Sequence, residues 1–293
     1  MFDKVKELIK RKSKERNFIL ASESIEKYIF ALKKKQFIPL ITKIGVISED
    51  IAHDSSEEKL YSKAADIVLA KCFQFLGLKS EVMRERSNCA DVYAKSVFHN
   101  YSLVADAKAF RLSRTAKNQK DFKVGALSIW RKDNDYAVLT APYYQYPKMS
   151  SQIFGQALNS NVALLSWELF SIMIQNDISE NVGFNLEFLW NISSTIAKDT
   201  SIENQNNSFT PSQNKLFCLL IKMEAADFNR FLGRFKIKII NRAEEEISFW
   251  RQKIEEIKHY SKEKAIQELL ISLKLKEKIK VIEDYIYTLR KND

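Results

Sequence analysis

Several common chemistries lack their raw material in these 293 residues. Three cysteines, Cys72, Cys89 and Cys218, stand far apart. An odd, scattered set makes neither a disulfide framework nor a paired-cysteine metal spacing, and it points to reduced thiols in a cytoplasmic protein. His53, His99 and His259 are isolated, which leaves no paired-histidine metal site and no ββα-type nuclease pattern. No glycine-rich loop precedes a Lys-Ser or Lys-Thr pair, so ATP-driven translocation is not expected. No apolar run approaches the length of a membrane span. No basic amphipathic helix marks a lipid-surface binder, and the opening MFDKVKELIKRKSKER has no signal-peptide core; a membrane partner is not expected. Acids are outnumbered, 37 against 47 Lys and Arg, for a formal net charge of +10. That balance favours a polyanionic partner. A hydrophobic content of 45% is that of a globular chain, long enough for one elaborated domain or two.

The chain is organised around residues 101–123, YSLVADAKAFRLSRTAKNQKDFK. The stretch 103–110 is short, mostly apolar and free of Gly and Pro, which predicts a strand. Alternation puts Val104, Asp106, Lys108 and Phe110 on one face and Leu103, Ala105, Ala107 and Ala109 on the other. An Asp and a Lys on a buried face are costly unless they pair or hold a metal. Asp91 lies upstream in a second apolar run, 89–94, and His99-Asn100 suit the turn of a hairpin that brings the two strands together. Two carboxylates on adjoining strands can hold Mg²⁺, a hard ion that takes oxygen ligands. A lysine beside it can orient or deprotonate the attacking water, or stabilise charge on phosphate. The alternative reading of Asp106 and Lys108 is a strand-end ion pair.

Beyond the strand, Lys108, Arg111, Arg114, Lys117, Lys120 and Lys123 place a cation at every third position. A period of three drifts round an α-helix, so the pattern predicts an irregular loop entering a helix near Lys117. Asn118, Gln119, Lys120 and Asp121 are interleaved there. Asn and Gln suit adenine, Lys suits guanine, and Asp accepts from the cytosine amino group. Phosphate contacts position a protein and base-edge contacts specify sequence; the segment has residues for both. A solvated basic loop is the alternative.

Asp91-x14-Asp106-Ala107-Lys108 resembles the PD-(D/E)xK nuclease motif. The blocks SKAADIVLAK, LVADAKAF, FRLSRTAKNQKDFKV and DYAVLTAP resemble the HindIII-type type II restriction endonucleases, densely from about Ser55 to Trp167. The resemblance implies an α/β fold in which a mixed central sheet is flanked by helices, an EcoRI-like core. It also implies a homodimer, double-stranded DNA as substrate, Mg²⁺ as cofactor and a palindromic target, with AAGCTT as first candidate. A cognate DNA methyltransferase would act on the same site without needing to bind. Asp91 and Asp106 would ligate the metal, helped by the Ala107 carbonyl, and Lys108 would position the water. Arg111, Arg114, Ala116, Lys117, Asn118, Lys120, Asp121 and Lys123 would contact DNA. A repair or junction nuclease on the same core, or a DNA-binding protein without catalysis, is the alternative. The family's glutamate before these strands is displaced here: Met83-Arg84-Glu85-Arg86-Ser87 puts it one place later, and a one-residue shift reverses the face of a strand. No role is transferred to Glu85. Gly125 stands where the family has a lysine.

Elsewhere the pattern predicts helices over 1–16 and 18–35, with Pro39 as an interruption and Gly45 as the end of an apolar stretch. Ser55 and Glu58 form a capping box, and Glu58 is also a candidate to lean toward the metal. The helix they open runs to about Leu76, lined by Ala64, Ala65, Ile67, Val68, Cys72 and Phe75. A first core strand is expected over 81–86, others at 135–140 and 162–166, and helices over 125–131, 151–158 and 167–175. The aromatic loop Tyr143-Tyr144-Gln145-Tyr146 reads as a hydrophobic plug. The polar stretch 195–214 reads as a linker, and helices over 215–235, 237–259, 262–274 and 275–291 follow it. The resulting division is a helical N-terminal layer over 1–50, a nuclease core over 51–195 and a helical C-terminal region over 196–293.

Overall fold

Two helix starts in the N-terminal part, those after Asn17 and Ser55, follow side-chain caps the chain offers. In the computed structural model, which describes residues 1–15, 17–84, 89–114, 119–147, 151–199 and 205–291, α1 (Phe2–Lys12) buries Phe2, Val5 and Ile9. Asn17 Oδ1 accepts from the Ile19 and Leu20 amides and opens α2 (Phe18–Phe30), as an N-cap side chain should. α3 (Lys34–Ile44) runs through Pro39, where an interruption is expected. Proline removes one helical hydrogen bond, but burial of Phe37, Leu40, Ile41 and Ile44 on one face keeps the helix together.

Ser55 Oγ accepts from the Glu58 amide and opens α4 (Ser56–Phe75). Eleven of its residues are buried, on more than one side. An apolar helix of that kind belongs in the middle of a molecule, and α4 packs on α1, α2 and α3 and on the first three strands of the sheet.

β1 (Leu78–Val82), β2 (Val92–Ser96) and β3 (Ser102–Ala107) form an antiparallel meander. β1 begins three residues earlier than the pattern suggests. After β3 the chain makes the short helices α5 (Gln119–Phe122) and α6 (Val124–Trp130), then β4 (Tyr136–Ala141), parallel to β3. α7 (Gln152–Ser160) leads to β5 (Val162–Ser166), parallel to β4, and α8 (Trp167–Gln175) follows at once. The sheet is mixed, in the order β1-β2-β3-β4-β5. Its parallel half is the more apolar: every residue of β5 is buried, as expected where helices cover both faces.

The expected plug holds for part of the loop: Gln145 is buried and Tyr146 packs inward, while Tyr144 is exposed. The Tyr146 hydroxyl donates to the Leu165 carbonyl (2.7 Å), and its ring stacks on Phe122 at 5.5 Å. The polar stretch 195–214 is mostly helical among the described residues, contributing to α10 (Ile192–Lys198), which follows the single turn α9 (Glu187–Trp190), and to α11 (Gln205–Leu220). α12 (Ala225–Lys258) is one 34-residue helix where two are expected. α13 (Lys262–Ser272) and α14 (Leu275–Lys291) complete the chain.

The chain forms two compact units, Met1–Asn241 and Arg242–Asp293. The N-terminal helices and the sheet share the first. In the second, α13 has no buried residue, and the stripe Ile247, Trp250, Ile254 and Ile257 is about half exposed. Among the described residues no helix is long and apolar enough to cross a membrane.

Candidate active site

Local geometry brings the two strand acids together. In the β2–β3 ladder Val92 faces Ala105, so continuing the register by one residue sets Asp91 opposite Asp106. The Met83 amide donates to the Asp91 carbonyl (2.9 Å), which fixes the chain just before β2. At the far end of β3 the Lys108 amide donates to the Thr140 carbonyl (2.7 Å), and the Lys108 carbonyl accepts from Trp167 Nε1 (3.0 Å). The residue carrying the lysine is thus held from two sides. Trp167 in turn lies against Gly45: a Cβ there would stand 2.5 Å from Trp167 Cδ1, so only glycine allows that approach. Lys108 Nζ pairs with the Asp106 carboxylate.

A third acid completes the cluster. Carboxylate oxygens of Asp66, Asp91 and Asp106 lie within 4.8 Å of one another. Asp66 comes from the middle of α4, where the helix crosses the strands. Asp66 and Asp106 are 5% and 2% exposed, whereas the Asp91 side chain is 41% exposed and opens the cluster to solvent. Burial pushes the Asp66 carboxyl well above the usual carboxylate range; the Asp91 charge adds to this and Lys63 opposes it. Burial also raises Asp106, with Lys108 opposing. Acids crowded and desolvated in this way resist charging until a cation joins them. An all-oxygen donor set of three carboxylates suits a hard divalent ion.

The cluster forms part of the wall of a groove of about 880 Å³, lined also by Ala107, Lys108, Lys63 and residues of α2. Lys63 Nζ lies 3.7 Å from Asp91 Oδ1 and 3.8 Å from Asp66 Oδ2.

Of the expected site residues, Asp91, Asp106, Ala107 and Lys108 meet here. Glu58 does not join the cluster. Its Oε1 accepts from Arg111 Nη2 (2.7 Å) and its Oε2 from the Asp54 amide (2.7 Å). It sits in the first turn of α4, about 12 Å along the axis from Asp66. The acid of this helix that faces the cluster is Asp66, two turns further on, not Glu58. Arg111 needs correction as a DNA contact: it is 4% exposed and donates to Glu58 and to the Ser48 carbonyl. It anchors the start of the basic segment, as does Glu49, whose carboxylate accepts from the Ser113 amide and hydroxyl. Arg114 pairs with Asp121, so Asp121 engages an arginine in the chain itself. Lys120 and Lys123 are exposed, and the Lys123 charge is felt at Asp106. Gly125 has open space where a Cβ would stand. Ala116, Lys117 and Asn118, and Glu85, lie outside the described residues.

Asp66 and Lys63 are the residues that sequence reasoning passes over. The signal for Asp66 is there: it is the one ionisable side chain in the apolar run 64–70, AADIVLA, and an acid in a buried helix needs a reason.

A mixed sheet and a crossing helix that together bring three carboxylates and a paired lysine to an open groove are the construction of a hydrolase acting on phosphodiesters with a divalent ion. The comparisons define that class further. A family model described as HindIII restriction endonuclease matches residues 2–285. The type II restriction enzyme HindIII of Haemophilus influenzae is 46% identical over 276 residues, covering 94% of this chain and 92% of the relative. The chain belongs to the HindIII restriction endonuclease family. Among solved structures, restriction endonuclease FokI gives a TM-score of 0.33 at 12% identity, covering 56% of this chain and 32% of that one.

Proposed function

We propose that this restriction endonuclease cleaves double-stranded DNA at a short palindrome, AAGCTT as first candidate, with Mg²⁺ held by Asp66, Asp91 and Asp106 and aided by the Ala107 carbonyl. The observation that carries this is the meeting of those three carboxylates with Lys108 on the wall of one groove. A hard divalent ion would supply there a positive charge against the phosphate and an acidified water. Lys108 orients the attacking water and takes up charge developing on the phosphate. Its backbone is fixed by Thr140 and Trp167 and its ammonium is held by Asp106, as near-attack geometry requires. Water oxygen bonds to phosphorus, the bond to the 3′ oxygen breaks, and that oxygen leaves with a proton. The products are a 5′-phosphate and a 3′-hydroxyl.

Lys120, Lys123 and Arg114, with Ala116, Lys117, Asn118 and Asp121, form the reading segment. Arg111 serves it from beneath. A palindrome calls for a two-fold protein. The half-exposed apolar side chains of 242–293 support a homodimer, since helices this short of buried side chains gain stability by burying them on a partner. A cognate methyltransferase acting on the same site and a cytoplasmic location complete the proposal.

The test is a digest of plasmid carrying a single AAGCTT, with Mg²⁺ and with chelator. One discrete cut with Mg²⁺, ends mapping to AAGCTT, and loss of cutting but not of DNA binding in Asp106→Ala are the expected results. Ragged or junction-directed cutting would favour a repair or junction nuclease. Normal cutting by Asp106→Ala would reject the site.

A further inference from the structure

Lys63 stands one turn before Asp66 on α4, and nothing in the reaction as described gives it a task. Its Nζ donates to the Met83 carbonyl (3.0 Å) and lies within 4 Å of both Asp66 and Asp91; the side chain is 19% exposed. Holding an ammonium so far from solvent is costly without an anion nearby. A single carbonyl supplies no charge; the two carboxylates within 4 Å do, and Glu26 on the groove wall also feels the Lys63 charge. Lys108 already serves Asp106. The site therefore carries two ammonium groups against three carboxylates, and the second has no counterpart in the Asp-x-Lys motif.

We propose that Lys63 is the resident counter-ion of the metal centre. It holds Asp66 and Asp91 together until a divalent ion claims them, and its ammonium then turns into the groove to meet a backbone phosphate of the DNA. The inference rests on the metal-centre reading above. A divalent ion among the three carboxylates and an ammonium less than 4 Å from two of them repel each other strongly in a poorly solvated site. Lysine suits the exchange, because its charge is a point on a flexible stem with three rotatable donors. The groove that Lys63 lines is the one a scissile phosphate would enter. DNA thereby lowers the cost of moving Lys63, and by reciprocity metal and DNA tighten each other's binding. Lys63 is in this sense a positioning residue that couples the two.

Mn²⁺ titration of the DNA-free protein, followed by electron paramagnetic resonance or calorimetry, tests the idea. Lys63→Met and Lys63→Gln remove the competing charge, and Gln keeps a donor for Met83. Both should bind Mn²⁺ roughly tenfold more tightly than wild type, while Lys63→Arg stays near wild type. In the second arm, Ca²⁺ should improve wild-type affinity for an AAGCTT duplex by a larger factor than it improves that of Lys63→Gln. Unchanged or weaker Mn²⁺ binding in the Gln variant overturns the proposal and leaves Lys63 as a strap to Met83. A wild-type protein that takes up no Mn²⁺, or takes it up equally well as Asp106→Ala, overturns the metal centre itself and this inference with it.

Discussion

Replacing Asp66 by Asn should move stability and metal affinity in opposite directions. Asp66 is buried beside Asp91 and Asp106, and both burial and the Asp91 charge raise its pKa. A tenfold displacement of a protonation equilibrium is worth ~1.4 kcal/mol, so a carboxyl that must ionise against such a bias weakens the folded state at neutral pH. Asparagine has nearly the same shape and no charge, and Asp91 remains to face Lys63. Relieving a conflict of this kind typically stabilises a protein by about 0.5–2 kcal/mol. In a unit the size of Met1–Asn241, each kcal/mol moves Tm by ~2–4 °C, so the variant should melt a few degrees higher in chelator. Mn²⁺ affinity should fall at least tenfold, ~1.4 kcal/mol, because one of three charged ligands is gone. Scanning calorimetry in EDTA and calorimetric Mn²⁺ titration read the two effects separately. A variant that melts no higher in EDTA, or that binds Mn²⁺ as wild type does, refutes the reasoning.

Other substitutions separate anchoring from DNA contact. Arg111→Ala leaves the buried Ser48 carbonyl and the half-buried Glu58 Oε1 without the guanidinium; it should lose about 3 kcal/mol of stability, read as a lower urea midpoint, and Lys cannot restore the fork. Lys123→Gln should keep its melting temperature within the ~0.5 kcal/mol usual for surface changes. Its log–log salt slope for DNA binding should shrink by ~0.9, one phosphate contact's worth. Glu168, buried at the start of α8, accepts from the Tyr143 amide (2.8 Å), and burial pushes its carboxyl up to about 7 from 4.5. Because the folded value is the higher one, the stability it contributes is full below pH 4.5 and is lost as pH rises through about 7. Glu168→Gln should therefore gain on wild type by ~2 kcal/mol between pH 5.5 and 8.5 in urea melts; a gap that does not change with pH would contradict this.

Much of this protein is local and can be read along the chain. Strand alternation puts Asp106 and Lys108 on one face. The short turn at His99-Asn100 makes the hairpin whose register sets Asp91 against Asp106. Ser55 opens α4 where its hydroxyl can cap the helix, and the apolar run of β5 announces a strand covered on both sides. These features depend on neighbours a few residues away, on which sequence periodicity bears directly. Cations at every third position likewise announce a polyanion, but not which of them face it.

The rest depends on which surfaces pack across long sequence distances. Asp66 belongs to the site because α4 crosses the sheet at that turn, while Glu58, two turns earlier on the same helix, meets Arg111 instead. Lys63 reaches the acids for the same reason. Arg111 reads as a phosphate contact until the loop around Ser48 folds over it and buries it. Pro39 reads as a break until packing of Phe37, Leu40 and Ile41 outweighs one missing hydrogen bond. A helix offers every side of itself to the core, and only the docking of one element on another selects the side chain that arrives. The chain alone thus specifies the acid pair and its lysine, and tertiary packing selects the third acid and the second lysine.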